Sequence, residues 1–246
     1  MRFFLPPDRW TGETVELDAA ESHHAAAVLR VKPGDTAELL DGAGRTASAE
    51  VASVGKKCVT LRLGAVRRAP ARSGRLALAV AVPKGQTMEW IVEKAVELGA
   101  SDVFPMLTQR TIVRLAPDER AARRQKWQRV ALEATKQCGQ PWLPTVHTPA
   151  GLAGTLAALP AAEFDLPLVA CLEPESRPLR DAVRALPSRP RSGAVIIGPE
   201  GDLTADEYAA CRAAGFLPVS LGAIVLRVET AALHVLSVLT HETGTS

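Results

Sequence analysis

The sequence has no run of about 18 apolar residues, the length a membrane-spanning helix requires. Its start, Met1-Arg2-Phe3-Phe4-Leu5-Pro6-Pro7-Asp8, lacks the basic segment and the apolar stretch of about 7–15 residues that make a secretory signal, so a cytoplasmic location is expected. Cysteine is scarce. Cys58, Cys138, Cys171 and Cys211 stand 80, 33 and 40 residues apart, with no Cys-x-x-Cys and no His at ligand spacing. That pattern argues for reduced thiols and against a disulfide framework or a metal site. Eighteen Gly and eighteen Pro are too few for a disordered or collagen-like chain. The sequence also contains neither Gly-x-x-x-x-Gly-Lys nor Gly-x-Ser-x-Gly, so neither a P-loop nor an α/β-hydrolase is supported.

What remains is 246 residues, 47% hydrophobic and 23% charged, enough for one large domain or two smaller ones with their own cores. The net charge of +2 is unevenly spread. Residues 1–75 carry +3 and 105–145 carry +5, whereas 76–104 carry −2 and 146–246 carry −4. The basic stretches are either a solvated helix face or a footprint for a polyanion.

The first 70 residues read as short strands: Thr14–Leu17, Thr36–Leu40, Ala47–Val51 and Cys58–Leu63, punctuated by Pro33-Gly34-Asp35 and Asp41-Gly42. One helical piece, Ser22 to Leu29, interrupts them. Strands at this spacing predict a small β-barrel. The basic stretch Arg67-Arg68-Ala69-Pro70-Ala71-Arg72-Ser73-Gly74-Arg75 has no apolar period and reads as a linker. The expected domains are 1–70 and 76–246, with 71–75 between them.

From Leu76 the pattern changes. Leu76–Val82 is a continuous apolar run, as in a strand buried on both faces. Thr87 can cap a helix that ends at Gly99, and Val103–Met106 is the next strand. Pro117-Asp118-Glu119 opens a long helix towards Gly139, with Trp127, Val130, Ala134 and Cys138 turned inward. Strand Leu166–Leu172, helix Pro178–Leu186 and strand Ala194–Ile197 follow. A helix with a capping box from Thr204 to Glu207 comes next, then strand Phe216–Ser220 and helix Glu229–Leu239. Alternation of this kind predicts a mostly parallel sheet covered on both faces.

Gly42-Ala43-Gly44 matches the loose dinucleotide fingerprint, but Asp41-Gly42 reads as a hairpin turn and a strand follows, where that motif needs a helix. Two C-terminal loops carry more. Val195-Ile196-Ile197 runs into Gly198-Pro199-Glu200-Gly201-Asp202-Leu203, and Leu217-Pro218-Val219 runs into Ser220-Leu221-Gly222-Ala223-Ile224-Val225-Leu226-Arg227. Both lie beyond the carboxyl ends of predicted parallel strands, where α/β sheets bind ligands, and their glycines permit close backbone approach.

Gly198-Pro199-Glu200-Gly201, then Ser220-Leu221-Gly222, then Leu226-Arg227-x-Glu229-Thr230-Ala231 resembles the RsmE family of 16S rRNA uridine-N3 methyltransferases, in the SPOUT superfamily. The likeness extends to Lys84-Gly85, Lys94–Gly99, Arg110 and Trp127, and to Arg2-Phe3-Phe4, His24 and Val28-Leu29-Arg30 near the start. The resemblance implies a PUA-like RNA-binding barrel, then a methyltransferase domain with a C-terminal trefoil knot, assembled as a homodimer. It implies S-adenosylmethionine held by Leu172, Gly198, Pro199, Glu200, Gly201, Ser220, Leu221, Gly222 and Leu226, without a metal. The implied partner is 16S rRNA in the small ribosomal subunit, one uridine of which is methylated. Where the family pattern has Gly, Arg and Pro-Arg, this chain has Asp202, Gln140 and Ala223-Ile224.

Methylating uracil N3 requires loss of a proton, alignment with the donor, and stabilisation of the uracil anion. Arg227 follows the Leu221–Leu226 loop and is expected to face the methyl donor's pocket; it is the candidate for contacting that anion, since a guanidinium stays charged, and Glu229 for holding Arg227 or accepting the proton. The candidate RNA contacts are Arg2, His24, Arg30, Lys84, Arg110 and Arg129, with Arg114 and Arg123 beside them. His234, in the last apolar helix, reads as a packing residue. Two alternatives stand beside this reading. One is a catalytically silent ribosome-binding or assembly factor of the same fold, motivated by Ile224, Asp202 and Gln140. The other is a nucleotide-dependent oxidoreductase, supported only by Gly42-Ala43-Gly44.

Overall fold

The structure, a computed structural model, describes residues 1–72, 74–174 and 176–244. Ser73, in the expected linker, and Glu175, Thr245 and Ser246, in the expected 76–246 domain, lie outside the described residues. The chain divides into two compact units. One takes Met1–Ala71 with Leu132–Leu143, and the other takes Arg72–Ala131 with the chain from Pro144 onward.

The first unit contains β1 (Arg2–Phe4), β2 (Thr14–Glu16), α1 (Ala19–His23), β3 (Thr36–Leu40), β4 (Arg45–Val54) and β5 (Val59–Arg68). The strand order is β1-β3-β4-β5-β2, with β1 parallel to β3 and the other pairs antiparallel. Alternate residues Leu39, Val51, Val59 and Leu61 join Phe3 and Leu5 in a fully buried core. The predicted strands are all present. β1, only three residues long, is too short to show a period and was invisible in the sequence. Helix α1 starts earlier than Ser22, because Asp18 caps it by accepting the Glu21 amide at 2.8 Å. It continues into a π-helical turn, His24–Val28. Arg67 and Arg68 are not linker: they pair with Thr46 and Arg45 at the end of the β4–β5 ladder. The outer half of β5 is exposed, so it carries no apolar alternation that a sequence reading can detect.

The Gly42 segment is a turn between β3 and β4. Asp41 Oδ1 accepts the amides of Ala43 and Arg45 at 2.7 and 2.9 Å, and Gly42 and Gly44 have φ of 70° and 88°. A Cβ on Gly44 would lie 2.5 Å from the Trp142 ring, so only glycine fits there.

The second unit contains β6 (Arg75–Ala81), α2 (Thr87–Glu97), β7 (Asp102–Leu107), α3 (Pro117–Cys138), β8 (Thr145–Val146), β9 (Ala150–Gly151) and α4 (Leu152–Ala158). It continues with β10 (Leu166–Ala170), β11 (Arg177–Pro178), α5 (Leu179–Arg184), β12 (Ser192–Ile197), α6 (Ala205–Ala213), β13 (Leu217–Ser220) and α7 (Val228–Thr243). The last turns of α3, from Leu132, count to the first unit. The sheet order is β11-β13-β10-β12-β6-β7-β8, every pair parallel, with β9 also paired to β7.

Period-2 alternation on continuously apolar strands gives the sheet two buried faces. Ala77, Ala79, Val169, Ala194 and Ile196 pack with Leu152 of α4 and Tyr208 and Cys211 of α6. The intervening positions meet α7, as at Gly193, where an added Cβ would lie 3.1 Å from Leu239, and α2 packs in turn on α7. Three local expectations need correction. Thr87 is the first residue of α2, not its cap, and Gln86 before it makes no capping bond. On α3, Trp127 and Ala134 are buried, but Cys138 is exposed and Val130 only half-buried. Ala131, four residues after Trp127, takes the inward place, and Cys138 is the last residue of the helix. The Thr204–Glu207 capping box is present. Among the described residues no helix is long and apolar enough to cross a membrane.

Candidate functional site

Three parallel strands that lie side by side, β13, β10 and β12, end at the same edge of the sheet and release three loops there. The loops after β10 (171–174 and 176), β12 (198–203) and β13 (221–227) enclose a cavity of about 340 Å³. This is the crevice in which parallel α/β sheets bind ligands, and its volume is that of a small-molecule site. Leu172, Gly198, Pro199, Glu200, Ser220, Leu221, Gly222 and Leu226 all line it. Gly201, the remaining candidate of that group, does not; its carbonyl accepts Arg110 Nη1 at 2.8 Å.

Each loop is held by its own chemistry. In the β12 loop, the Asp202 amide donates to the Pro199 carbonyl at 2.9 Å and closes a turn. Leu203 folds back on Gly198, where an added Cβ would lie 3.1 Å from Leu203 Cγ. Glu207 accepts the Thr204 amide at 2.9 Å and the Gln109 amide at 2.8 Å, tying the start of α6 to the segment after β7. In the β13 loop, Gly222 has a φ of 135°, a backbone region L side chains rarely adopt, with nothing within 4 Å of an added Cβ. In the β10 loop, the Cys171 amide extends the ladder to the Val219 carbonyl at 2.9 Å, and Ser176 Oγ donates to the Glu173 carbonyl at 2.7 Å.

Walls of Ile197, Leu172, Leu226 and Val228 suit an apolar, planar group, while the loop backbones present amides and carbonyls. Among the described residues no Lys, Arg or His lines the cavity, and the charged ones that do are Glu173, Glu200 and Asp202. Burial pushes the Cys171 thiol up and the Cys211 thiol up to about 11, and burial with Asp202 alongside raises the Tyr208 phenol. These groups are therefore neutral near pH 7, and none is an activated nucleophile. Among the described residues no three His, Cys, Asp or Glu side chains converge as a metal-ligand set.

Arg227 and Glu229 do not line the cavity, although Leu226 and Val228 do. Arg227 was expected to face it. The residue caps α7 with extended backbone, φ −65° and ψ 155°, and extended backbone sends neighbouring side chains to opposite sides. Its guanidinium is exposed and makes no ion pair with Glu229 or any other described residue. Glu229 sits half-buried in the first turn of α7, where the helix dipole favours a carboxylate.

The RNA candidates divide into two sets. Two have their donors engaged within their own unit. Arg2 pairs with Glu38 at 2.8 Å and donates to the Gln137 carbonyl at 2.8 Å at the end of α3. Arg110 donates to the carbonyls of Gly201 and Leu203 at 2.8 and 3.4 Å. Sequence alone cannot show that a basic side chain will meet carbonyls of a loop some 90 residues away. Arg30, Lys84 and Arg129 are exposed, and His24 is half-buried in the π-helical turn. Arg123 is exposed beside Arg129 on α3, while Arg114 donates to the Gln109 carbonyl at 3.2 Å. Among the site residues that the sequence reading missed are Ile197, Val228 and, in the β10 loop, Cys171, Glu173 and Ser176. The signal was available: a buried apolar run ending at Leu172 and followed by Glu173-Pro174.

The RNA methyltransferase domain family matches residues 70–240, and the RNA methyltransferase PUA domain family matches residues 17–64. Ribosomal RNA small subunit methyltransferase E of a Synechocystis strain is 34% identical over 94% of this chain and 74% of its own length. The Bacillus subtilis protein of the same name is 29% identical over 94% and 91%. Among solved structures, a Legionella pneumophila protein in complex with the cofactor S-adenosylmethionine superposes with a TM-score of 0.87 at 32% identity, covering 98% of this chain and 96% of that one. Ribosomal RNA small subunit methyltransferase E of Neisseria gonorrhoeae, bound to S-adenosylmethionine, gives 0.84 at 27% identity with the same coverage.

Proposed function

The chain belongs to the ribosomal RNA small subunit methyltransferase E family, and on that premise we propose that it methylates N3 of one uridine in 16S rRNA, using S-adenosylmethionine. The observation that carries the reading is the cavity formed by three loops at the carboxyl ends of β10, β12 and β13. Of the residues that carry the family likeness, Gly198, Pro199, Glu200, Ser220, Leu221, Gly222, Leu226 and Ala231 line it. The cavity's size, its apolar walls and the open space at Gly222 fit an adenosine with a methionine tail. Leu172, Gly198, Pro199, Glu200, Ser220, Leu221, Gly222 and Leu226 would hold it, largely through backbone groups. Once bound, it supplies a methyl group already activated by a sulfonium.

The remaining chemistry falls to this chain. N3 of uracil is protonated near pH 7, so the proton must leave and the resulting anion must be stabilised. An unpaired, exposed Arg227 beside a cavity without cations is suited to that anion or to an adjoining phosphate. Its orientation away from the cavity supports a role on the RNA side. Glu229, two residues on, is our candidate for receiving the proton. Uracil N3 is normally paired or stacked, so the nucleotide must turn out of its helix to reach the site.

In the same reading the first unit is an RNA-binding module, with His24 and Arg30 meeting phosphate from residues 1–70. Lys84 and Arg129 do so from the 76–246 domain. The reading includes a C-terminal trefoil knot, a homodimer and a cytoplasmic location. Calorimetric titration with S-adenosylmethionine tests the cofactor. Mass mapping of small-subunit rRNA treated with and without the protein tests the reaction, and a modification on any base other than uridine overturns the N3 assignment.

A further inference from the structure

Asp202 stands out on three grounds. It occupies the left-handed region at φ 63°, which costs an ordinary residue on the order of 1–2 kcal/mol and which Asp tolerates better than most. It lines the cavity. Its Oδ1 accepts the hydroxyl of Tyr208 at 2.5 Å, and that hydroxyl also lies 3.2 Å from the carbonyl of Ala170, another lining residue. Tyr208 is 1% exposed, so it is a fixed strut between the end of β10 and the β12 loop. The second carboxylate oxygen of Asp202 makes no hydrogen bond or ion pair with any described residue.

The other two acids of the lining differ. Glu173 is paired with Arg212 at 2.8 Å, and Glu200 is exposed to solvent. Among the described residues Asp202 is therefore the half-buried lining carboxylate without a cationic partner, and none of those that line the cavity is Lys, Arg or His. Burial raises the Tyr208 phenol, so the strut stays a hydrogen-bond donor to Asp202.

Resting on the assignment of this cavity to S-adenosylmethionine, we propose that Asp202, held by Tyr208, is a specificity-determining residue that selects the methyl donor over the demethylated product. The two molecules differ by one unit of positive charge, because the donor's sulfonium becomes a neutral thioether when the methyl leaves. A fixed carboxylate in a partly desolvated wall stabilises the cation and leaves the neutral product nearly unaffected. The consequence is easier product release and weaker product inhibition.

The test is calorimetric affinity for S-adenosylmethionine and for S-adenosylhomocysteine, measured on the full chain and on Asp202→Asn. Asparagine tolerates the same backbone region and still accepts the Tyr208 hydroxyl, so the substitution removes charge with little change in shape. Asp202→Asn is expected to weaken the donor by about 5- to 10-fold, a Coulomb effect at the high effective dielectric of a protein surface. The product's affinity should stay within twofold, with an unchanged melting temperature. Asp202→Gly, free of backbone strain, should lose the same discrimination. Equal weakening of both ligands would make Asp202 a loop brace and overturn the inference, as would an unchanged ratio. Failure of the unaltered protein to bind the donor at all would overturn the cavity's assignment, and this inference with it.

Discussion

Replacing Arg110 separates two roles that a basic residue at this place can play. Its Nη1 reaches the Gly201 carbonyl at 2.8 Å and the Leu203 carbonyl at 3.4 Å, the two residues that flank Asp202. Arg110 thus holds the β12 loop against the segment after β7, and the Gln109 amide, bonded to Glu207 at 2.8 Å, adds a second tie. A hydrogen bond with one charged partner contributes about 1.5–3 kcal/mol when buried. Arg110 is exposed, so about 1 kcal/mol is the reasonable figure, and the second tie survives the substitution. Arg110→Ala should therefore loosen S-adenosylmethionine by about 5-fold. The slope of log affinity against log salt for small-subunit RNA should keep its value, because no phosphate contact is lost. If Arg110 instead met a phosphate, the slope would flatten by about 0.9 and cofactor affinity would not move. Calorimetry with the cofactor and filter binding across a salt series measure both quantities on one variant. A flattened slope with unchanged cofactor affinity would refute the bracing role.

Three further outcomes are expected. Arg227→Ala should slow single-turnover methylation by roughly 10²–10³-fold, the scale of a lost oxyanion donor. Because Arg227 pairs with no described residue and lies off the cavity wall, the variant's melting temperature and cofactor affinity should hardly change; near-normal turnover would remove it from the catalytic residues. Gly222→Val meets no steric obstacle within 4 Å but imposes a side chain at φ 135°, so the loop must shift. At about 1–2 kcal/mol of strain, calorimetry should find cofactor binding weakened by about tenfold in a protein that still melts cooperatively. Burial works against ionisation of Asp102, yet hydrogen bonds from His147, Arg75 and Ser101 outweigh it and hold the carboxyl down to about 2. The lowered value means this contribution is fully present above about pH 4 and is lost as the pH falls towards 2. Discounted for its solvent-facing edge, it is about 1–2 kcal/mol, and Asp102→Asn should flatten acid unfolding monitored by circular dichroism over that range.

Much of this protein was legible in its sequence. Continuous apolar runs from Leu76 to Val82 and from Ala194 to Ile197 read as strands buried on both faces, and those strands are the centre of the sheet. The Thr204–Glu207 capping box and the glycines at 198 and 222 marked a helix start and the loops that line the cavity, because each is a local chemical requirement. Only the tertiary structure decided which charged side chains face outward. Arg2 and Arg110 looked like surface cations, but each meets carbonyls far along the chain, at Gln137 and at Gly201. Arg227, expected to face the cavity, lies off its wall, since one extended residue at a helix start reverses the direction of a side chain. Asp202 in sequence is one acid among eleven in its region; the fold makes it the half-buried carboxylate pinned by Tyr208 on the cavity wall. Periodicity and turn chemistry act between near neighbours and so are written in the sequence. Charge partners and cavity walls depend on residues brought together by the sheet order, and no local pattern encodes that.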